Sequence, residues 1–305
     1  MVGSTVEGSP QVLFFVSLIV DGALAGAIYA LISLAFVVVY KASRMINFAL
    51  GEWAMLGSRL AATGMYALEL GLAGAIGFAS ASMVGVGLAF NRLVLRRLVG
   101  RPLITLIMVT LGLGALMRGA AALLFRGIPA AAPLPIPREP LDVLGVMIPM
   151  DKLVAAIVAA LGIALVHWFF HRSRTGVAMR AIADDQQAAM AMGIDVDRHF
   201  ALTWAMVGIL SVVAGTLWTL VAGSGFGVVL VGLKVFPIVI IGGLDSIAGT
   251  IVGAILVGIL ESLAAGYLDP HLGGGSGTVA SYLLLIAMLF IRPYGLFGRP
   301  QAERV

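Results

Sequence analysis

Residues 23–40 read ALAGAIYALISLAFVVVY, an apolar stretch that contains no charged side chain. A helix rises about 1.5 Å per residue and the hydrocarbon core of a bilayer is about 30 Å thick, so about 20 apolar residues can span it. Backbone N–H and C=O groups find no water there and must pair within the helix itself. The stretch therefore predicts a transmembrane α-helix.

Further apolar runs follow along the chain. Clear runs cover residues 71–90, 103–125, 153–170 and 200–222, and shorter or interrupted runs cover residues 53–68, 228–241, 250–268 and 279–291. Residues 12–20 are a candidate extension of the first helix, with Asp21 and Gly22 marking either a break or the membrane edge. The pattern predicts an all-α transmembrane bundle of eight or nine membrane segments, with interrupted or re-entrant pieces.

We expect one transmembrane domain over residues 1–305, with a first half at 12–125, a Pro-rich loop at 126–151 and a second half at 152–305. The loop is either a simple linker or a docking edge for a partner. Pairs of glycines four residues apart, such as Gly22/Gly26 and Gly249/Gly253, let helices approach closely in lipid. They predict packing inside the bundle or, alternatively, a dimer face.

The composition agrees with a membrane protein and excludes several function classes. The chain is 61% hydrophobic and 11% charged, whereas soluble domains are about a quarter charged. With no cysteine, it has neither disulfides nor thiol nucleophiles. Of the four histidines, His167 and His171 are four residues apart, but they sit where an apolar run ends and are interpreted as interfacial residues. No Ser/His pair sits at facing helical positions. We therefore expect no metal site and no catalytic residues.

Lys and Arg residues predict the orientation, because cytoplasmic loops of membrane proteins carry an excess of both. If all nine segments cross, one side receives Lys41, Arg44, Arg92, Arg96, Arg97, Arg101, Arg172, Arg174, Arg180, Arg198, Arg292, Arg299 and Arg304. The other side receives Arg126, Arg138 and Lys152. We therefore expect a cytoplasmic C-terminus and an N-terminus on the outer side.

Two segments interrupt the apolar pattern, one in each half. Residues 45–57, MINFALGEWAMLG, place polar side chains among apolar ones, and residues 223–249 are rich in glycine. Irregular backbone at membrane depth is tolerated where protein or water satisfies it, and in transporters it often marks the binding site. We assign to a substrate pathway Asn47, Phe48, Gly51, Glu52, Phe226, Lys234, Gly242 and Gly243.

Charged residues within these segments leave alternatives open. Lys234 attracts a substrate carboxylate, pairs with a carboxylate of the protein, or reaches the interface. Glu52 and Glu261 either take part in proton coupling or act structurally, by capping backbone or by meeting Lys234. The sequence Gly242-Gly243 followed by Asp245-Ser246 predicts a chain reversal near the cytoplasmic side.

A polar segment, residues 172–198, reads RSRTGVAMRAIADDQQAAMAMGIDVDR. Residues 177–192 contain strong helix formers without Gly or Pro, which predicts one short amphipathic helix. The helix would expose small residues that allow close approach of another protein, and Gly193 would end it.

This segment resembles the ATPase-docking helix of ABC importer permeases, with Ala188, Ala189 and Gly193 at its Ala-Ala and Gly positions. Three further stretches, YALISLAFVVVYKASRMINFALGEWAMLG (residues 29–57), GLKVFPIVIIGGLDSIAGTIVGAILVGILE (232–261) and RPYGLFG (292–298), are similar to the branched-chain amino acid ABC transporter permease family. The resemblance covers nearly the whole chain.

The resemblance implies the inner-membrane permease subunit of an ATP-driven importer for branched-chain or related small amino acids. Its partners would be a second permease subunit, usually non-identical, two cytoplasmic ATPase subunits and a periplasmic binding protein. The chain contains no GxxxxGK[ST] phosphate loop. It would bind no cofactor and would be no enzyme, with ATP and Mg used by the partner ATPases.

The ATPase-coupling residues would be Arg180, Ala188, Ala189 and Gly193, on a coupling helix at residues 177–193. Relatives that carry urea, amides or aromatic acids, and an ion-coupled secondary transporter, are the alternatives.

Overall fold

A computed structural model describes residues 10–97, 102–129, 131–137, 139–222 and 227–298, and these residues form a helical bundle. Its helices are α1 Pro10–Ser43, α2 Leu50–Tyr66, α3 Leu72–Leu93, α4 Leu103–Leu124, α5 Met150–Arg172, α6 Arg174–Asp184, α7 Gln186–Ala191, α8 Val196–Ala222, α9 Gly227–Gly242, α10 Ile247–Leu272 and α11 Ser276–Ile291, with a 3₁₀ turn at Leu95–Arg97. The predicted all-α class is confirmed.

Six of the described helices are long and apolar enough to cross a membrane: α1, α3, α4, α5, α8 and α10. The shorter α9 and α11 are also apolar, and the 17-residue α2 completes the set of segments read from the sequence. The prediction of eight or nine segments agrees with this arrangement as an approximate count.

Helix α1 lies at the centre of the bundle. All residues from Ile28 to Val39 are buried, which fits a helix that is apolar on every side. The helix continues through Asp21 and Gly22, so the break considered there is absent. Asp21 instead forms an ion pair of 2.5 Å with Lys152 at the start of α5.

Helices α1 and α10 run antiparallel in close contact because glycines remove side chains between them. A Cβ atom on Gly22 would lie 2.6 Å from the carbonyl oxygen of Gly258, and one on Gly26 would lie 2.8 Å from that of Ala254. The Gly22/Gly26 pair therefore packs inside the subunit, as the first alternative predicted. Gly253 packs in the same way against Ile238 of α9.

Irregular backbone separates α1 from α2, as the interruption of the apolar pattern predicted. Arg44 has a φ of 55°, and the chain then turns back along α1. The Phe48 ring stacks on Phe236 at 4.6 Å, and Phe236 also contacts Phe36 of α1 at 5.7 Å. Because Phe36 lies about 10 Å before the end of α1, helix α2 begins inside the bundle.

The Pro-rich loop contains a small antiparallel hairpin that the sequence did not predict. Strands β1 Leu141–Val143 and β2 Val146–Ile148 are joined by Leu144 and Gly145, with φ values of 55° and 84°. Two positive φ values in succession are typical of a two-residue hairpin turn. We call this end of the bundle the hairpin end. The opposite end, where α1 ends and α6 and α7 lie, is the basic end.

The predicted single helix over residues 177–192 is wrong, because the structure divides this segment into α6 and α7. Asp185 separates them in an extended conformation, and its Oδ1 accepts a hydrogen bond of 2.9 Å from the Ala188 N–H. An aspartate side chain that binds a nearby backbone N–H competes with continuous helix and favours a new helix start. Gly193 follows α7 with a φ of 81°, consistent with its predicted role as the stop.

We predict that Gly26→Ala lowers the thermal stability of the subunit in detergent, whereas Gly77→Ala does not. The added methyl group at position 26 meets the α10 backbone, and such overpacking costs about 1–3 kcal/mol. A Cβ on Gly77 meets nothing within 4 Å, and alanine is the better helix former. Equal unfolding midpoints for the two variants would contradict the tight α1–α10 contact.

Candidate translocation pathway and coupling surface

Glu52 and Arg118 form an ion pair between α2 and α4, in which Arg118 Nη1 donates to Glu52 Oε1. The Glu52 carboxylate lies against Gly114, where a Cβ would approach it to 3.0 Å. The Glu52 side chain is 5% exposed, whereas that of Arg118 is 40% exposed. The pair therefore has one enclosed partner and one partner open to its surroundings.

Arg118 was missed in the sequence, although it is the only charged residue within the run 103–125. That isolation was the available signal, since a lone charge in a membrane helix needs a partner. Of the roles considered for Glu52, the pairing with Lys234 is wrong, because Arg118 is its ion-pair partner. Which helix faces α2 is decided by packing and has no trace in the local sequence.

Lys234 and Glu261 form the second ion pair, between α9 and α10. Lys234 Nζ lies 2.9 Å from Glu261 Oε2, which also accepts a 2.7 Å hydrogen bond from the Tyr29 hydroxyl. Ser281 donates to the other oxygen, Oε1. Helices α1, α9, α10 and α11 thus meet at one carboxylate. Among the roles considered for Lys234, pairing with a carboxylate of the protein is the one that the structure shows.

Asn47 and Phe48 lie in the irregular stretch before α2. Asn47 is 1% exposed, its Oδ1 accepts from the Ala49 N–H at 3.0 Å, and its Nδ2 is buried without a hydrogen-bond partner in the described structure. The Phe48 N–H donates to Thr110 Oγ1 of α4 at 3.3 Å. The polar groups of this stretch therefore face protein rather than lipid.

The glycines assigned to the pathway are points of close helix packing. A Cβ on Gly51 would lie 3.0 Å from Val229 Cα, so α2 and α9 touch through backbone there. Gly242 packs on Gly249, and Gly243, with a φ of 107°, packs on Gly298. The predicted chain reversal is present between α9 and α10. Phe226 lies outside the described residues.

The residues predicted to contact the ATPase separate into buried and exposed positions. Ala189 is 4% exposed and packs with Ile182 and Val196, so it belongs to a small core between α6, α7 and α8. The expectation that its side chain faces a partner is therefore wrong, because α7 is rotated to bury it. Ala188 is exposed, as are Met190 (50%) and Met192 (84%). Ala188 and Met192, the residue directly after α7, are four positions apart and form what we call the open face of α7.

Arg180 lines a cavity of about 420 Å³ at the basic end together with Lys41, Arg44, Asp184 and Asp245. Lys41 Nζ donates to the Asp245 carbonyl at 3.0 Å, and Arg44 Nε donates to the Ala183 carbonyl at 3.1 Å. Helix α1 is thereby joined both to the α9–α10 turn and to α6. Across the described residues, no group of three or more His, Asp or Glu side chains is placed to hold a metal ion.

The family described as "Branched-chain amino acid transport system / permease component" matches residues 18–292. The permease protein LivH of the Escherichia coli K12 high-affinity branched-chain amino acid transport system is 30% identical over 97% of this chain and 100% of its own length. The Pseudomonas aeruginosa permease protein BraD is 29% identical with the same coverage.

Among solved structures, PsaBC from Streptococcus pneumoniae in complex with Fab is similar at 17% identity. The similarity covers 90% of this chain and 91% of that one, with a TM-score of 0.45.

We predict that Lys234→Gln strongly lowers the yield and thermal stability of the folded subunit. The substitution leaves the Glu261 carboxylate uncompensated, which for a buried ion pair costs about 3–5 kcal/mol. The double variant Lys234→Gln/Glu261→Gln should recover most of the stability, since two amides remain able to bind each other, Tyr29 and Ser281. Lys152→Gln, in the more exposed pair with Asp21, is the control and should cost about 1 kcal/mol or less. A stable single variant would exclude the structural role.

Proposed function

The chain belongs to the permease components of branched-chain amino acid transport systems, and from that membership we propose that it lines the pathway of an ATP-driven amino acid importer. It is a multi-pass membrane protein and a transport subunit rather than an enzyme. Its substrates would be branched-chain or related small amino acids, which is the class named for the transport systems of its relatives LivH and BraD.

The proposed complex contains a second permease subunit, a non-identical homologue, two cytoplasmic ATPase subunits and a periplasmic binding protein that delivers the substrate. The chain has no phosphate-binding loop of its own, which supports ATP and Mg use by partner subunits.

We place the basic end in the cytoplasm of a bacterial cell, with the N-terminus on the periplasmic side of the inner membrane. The end of α1 carries Lys41, that of α3 carries Arg92, and that of α5 carries Arg172, while Arg292 follows α11. These four helices run toward the basic end and each ends in or is followed by a basic residue. The positive-inside rule assigns that end to the cytoplasm.

The pathway we propose runs along α2, α4 and α9. The observation that carries it is the Glu52–Arg118 pair, which holds a half-exposed guanidinium beside a helix that begins inside the bundle. A charge at this depth is costly in lipid, whereas it is tolerated beside a water-filled path. Broken segments at membrane depth are a common location of transporter binding sites.

The surface we propose for ATPase contact is the open face of α7, with Ala188 and Met192. Arg180 lines the cavity at the basic end, where Arg44 joins the end of α1 to α6 and Lys41 joins α1 to the α9–α10 turn. A displacement of α6 and α7 by the ATPase would thus be passed to α1, α9 and α10. Gly193 allows the sharp exit from α7 that this packing requires.

We predict that proteoliposomes containing the full complex accumulate labelled leucine only with ATP and the binding protein. The measurement is uptake with ATP, with a non-hydrolysable analogue, and with an imposed proton gradient without ATP. ATP-dependent uptake supports the importer. Uptake driven by the gradient alone would instead identify an ion-coupled transporter and overturn the proposal.

We predict that Ala188→Arg abolishes co-purification of the ATPase subunits while the permease keeps its thermal stability. The long charged side chain would project from the open face of α7 and block close approach. Ala189→Arg should instead lower stability, since it places a charge in the core with Ile182 and Val196. Leu144→Arg, at the exposed tip of the hairpin, is the control and should leave ATPase association unchanged. Normal association of Ala188→Arg would remove α7 as the contact.

A further inference from the structure

The Glu52–Arg118 pair lies near the middle of α4, a helix long and apolar enough to cross a membrane. The Glu52 carboxylate lies against Gly114, which is about 17 Å along the 22-residue α4 and therefore close to its midpoint. The Phe48 N–H, four residues before Glu52, donates a hydrogen bond to Thr110, four residues before Gly114 on α4. Helices α2 and α4 therefore run side by side in the same direction. The two charged groups therefore meet near the midpoint of α4.

The Arg118 side chain points toward the membrane centre. Side chains on a helix lean toward its N-terminus, and Arg118 reaches Glu52 beside Gly114, one turn before it on α4. An arginine that only needed solvation would extend toward the nearer membrane surface, which lies about 9 Å away at the C-terminal end of α4. The ion pair holds the guanidinium inward instead.

The face of α4 around Arg118 is open in the subunit. Leu111 lies seven residues before Arg118 on the same face and is 46% exposed. The guanidinium has five N–H donors, of which one hydrogen bond, from Nη1 to Glu52, is recorded in the described structure. At 40% side-chain exposure, Arg118 retains donors that another molecule can reach.

The Lys234–Glu261 pair has a different design. Glu261 receives Tyr29, Lys234 and Ser281, so each of its oxygens is already engaged. Its side chain is 11% exposed and that of Lys234 is 23% exposed. An ion pair with a purely structural role is enclosed in this way. The exposed Arg118 side chain therefore indicates that the Glu52–Arg118 pair has a role beyond holding α2 and α4 together.

We propose that Glu52 and Arg118 bind the charged groups of an α-amino acid during its passage, with the substrate carboxylate on Arg118 and the ammonium group on Glu52. The inference rests on the proposed function and names the residues that would recognise the substrate class. Arginine matches a carboxylate with two parallel hydrogen bonds. Inserting a zwitterion replaces one ion pair by two, so no charge is left unpaired at low dielectric.

The apolar part of the substrate has a surface nearby. Phe48 precedes Glu52 by four residues, on the side of Glu52 toward the basic end, and its ring stacks on that of Phe236 with a centroid distance of 4.6 Å. Phe48 is half-buried, so part of its ring is free to contact an aliphatic side chain. An ion pair next to an aromatic ring can bind a small amino acid with a hydrocarbon side chain, with the ion pair contacting its charged groups and the Phe48 ring its side chain.

The first test neutralises both partners. Glu52→Gln/Arg118→Gln leaves no unpaired charge, so the subunit should keep its thermal stability and still co-purify with its ATPases. Leucine uptake by the full complex in proteoliposomes should fall about ten- to a hundredfold, since charge-assisted bonds to the substrate are lost. Asp21→Asn/Lys152→Gln, an ion pair at the hairpin end, is the matched control and should transport normally. Normal uptake by the first double variant would overturn the proposal.

A second measurement keeps the ion pair intact and remains decisive if the double variant fails to assemble. The sequence contains no cysteine, so a single introduced cysteine is the only thiol of this chain. Leu111→Cys reports on the face of α4 that carries Arg118, and Leu116→Cys reports on the opposite face, where the Leu116 side chain is 68% exposed. A charged, water-soluble thiol reagent should modify position 111 in the assembled complex, but not position 116. Turnover with leucine-loaded binding protein should slow the reaction at position 111.

The remaining outcomes each contradict the inference. Equal reactivity at positions 111 and 116 would place the Arg118 face in lipid. Reaction at position 111 in the isolated subunit alone would identify a subunit interface, and reaction without leucine protection would identify a water path with no substrate contact. If the unmodified complex takes up no amino acid in any condition, the proposed function fails rather than the assignment of these residues.

Discussion

A charge inside an apolar bundle must meet an opposite charge or water, and the two intramembrane ion pairs of this protein follow that requirement in different ways. Glu261 collects partners from three other helices, Tyr29 from α1, Lys234 from α9 and Ser281 from α11. These contacts fix the mutual positions of four helices, because a missing partner would leave a buried charge unpaired. The pair Glu52–Arg118 joins only α2 and α4 and stays partly open.

Close backbone contact is the second constraint, and it depends on the absence of side chains. The α1–α10 contact at Gly22 and Gly26 brings Tyr29 within reach of Glu261, and the α2–α9 contact at Gly51 sets α2 beside α9. Packing in lipid gains little from the hydrophobic effect, so close contact of this kind carries much of the association between helices. Glycine positions and ion pairs therefore act together to define one arrangement.

The basic end links the membrane helices to the surface helices. Lys41 holds the α9–α10 turn through the Asp245 carbonyl, and Arg44 holds α6 through the Ala183 carbonyl. Arg44 immediately precedes the stretch that leads back into the bundle to Phe48 and Glu52. A movement of α6 at the surface is thus connected, through a few residues of backbone, to the start of α2, which gives a physical route from α7 to the proposed substrate site.

Much of the fold was readable from the sequence, because a helix in lipid must satisfy its own backbone and its apolar run reveals it. The segments, the irregular stretch before α2 and the stop at Gly193 were all predicted from local residue types. The hairpin was not, since its Leu144–Gly145 turn lacks the usual Asn-Gly signal. The break at Asp185 was also missed, because helix propensity does not account for the hydrogen bond that the Asp185 side chain accepts from the Ala188 N–H.

Partner choice was decided only by the tertiary structure. The sequence showed that Glu52, Lys234 and Glu261 lie in apolar segments and need partners. It could not show that Glu52 pairs with Arg118, whereas Glu261 pairs with Lys234, 27 residues away along the chain. It likewise put Ala188 and Ala189 on one surface, whereas packing against α8 buries the second. The sequence by itself determined which residues span the membrane, since hydrophobicity is a property of each segment alone. The tertiary structure decided which charges meet and which faces stay open, since these depend on how helices distant in sequence are rotated against one another.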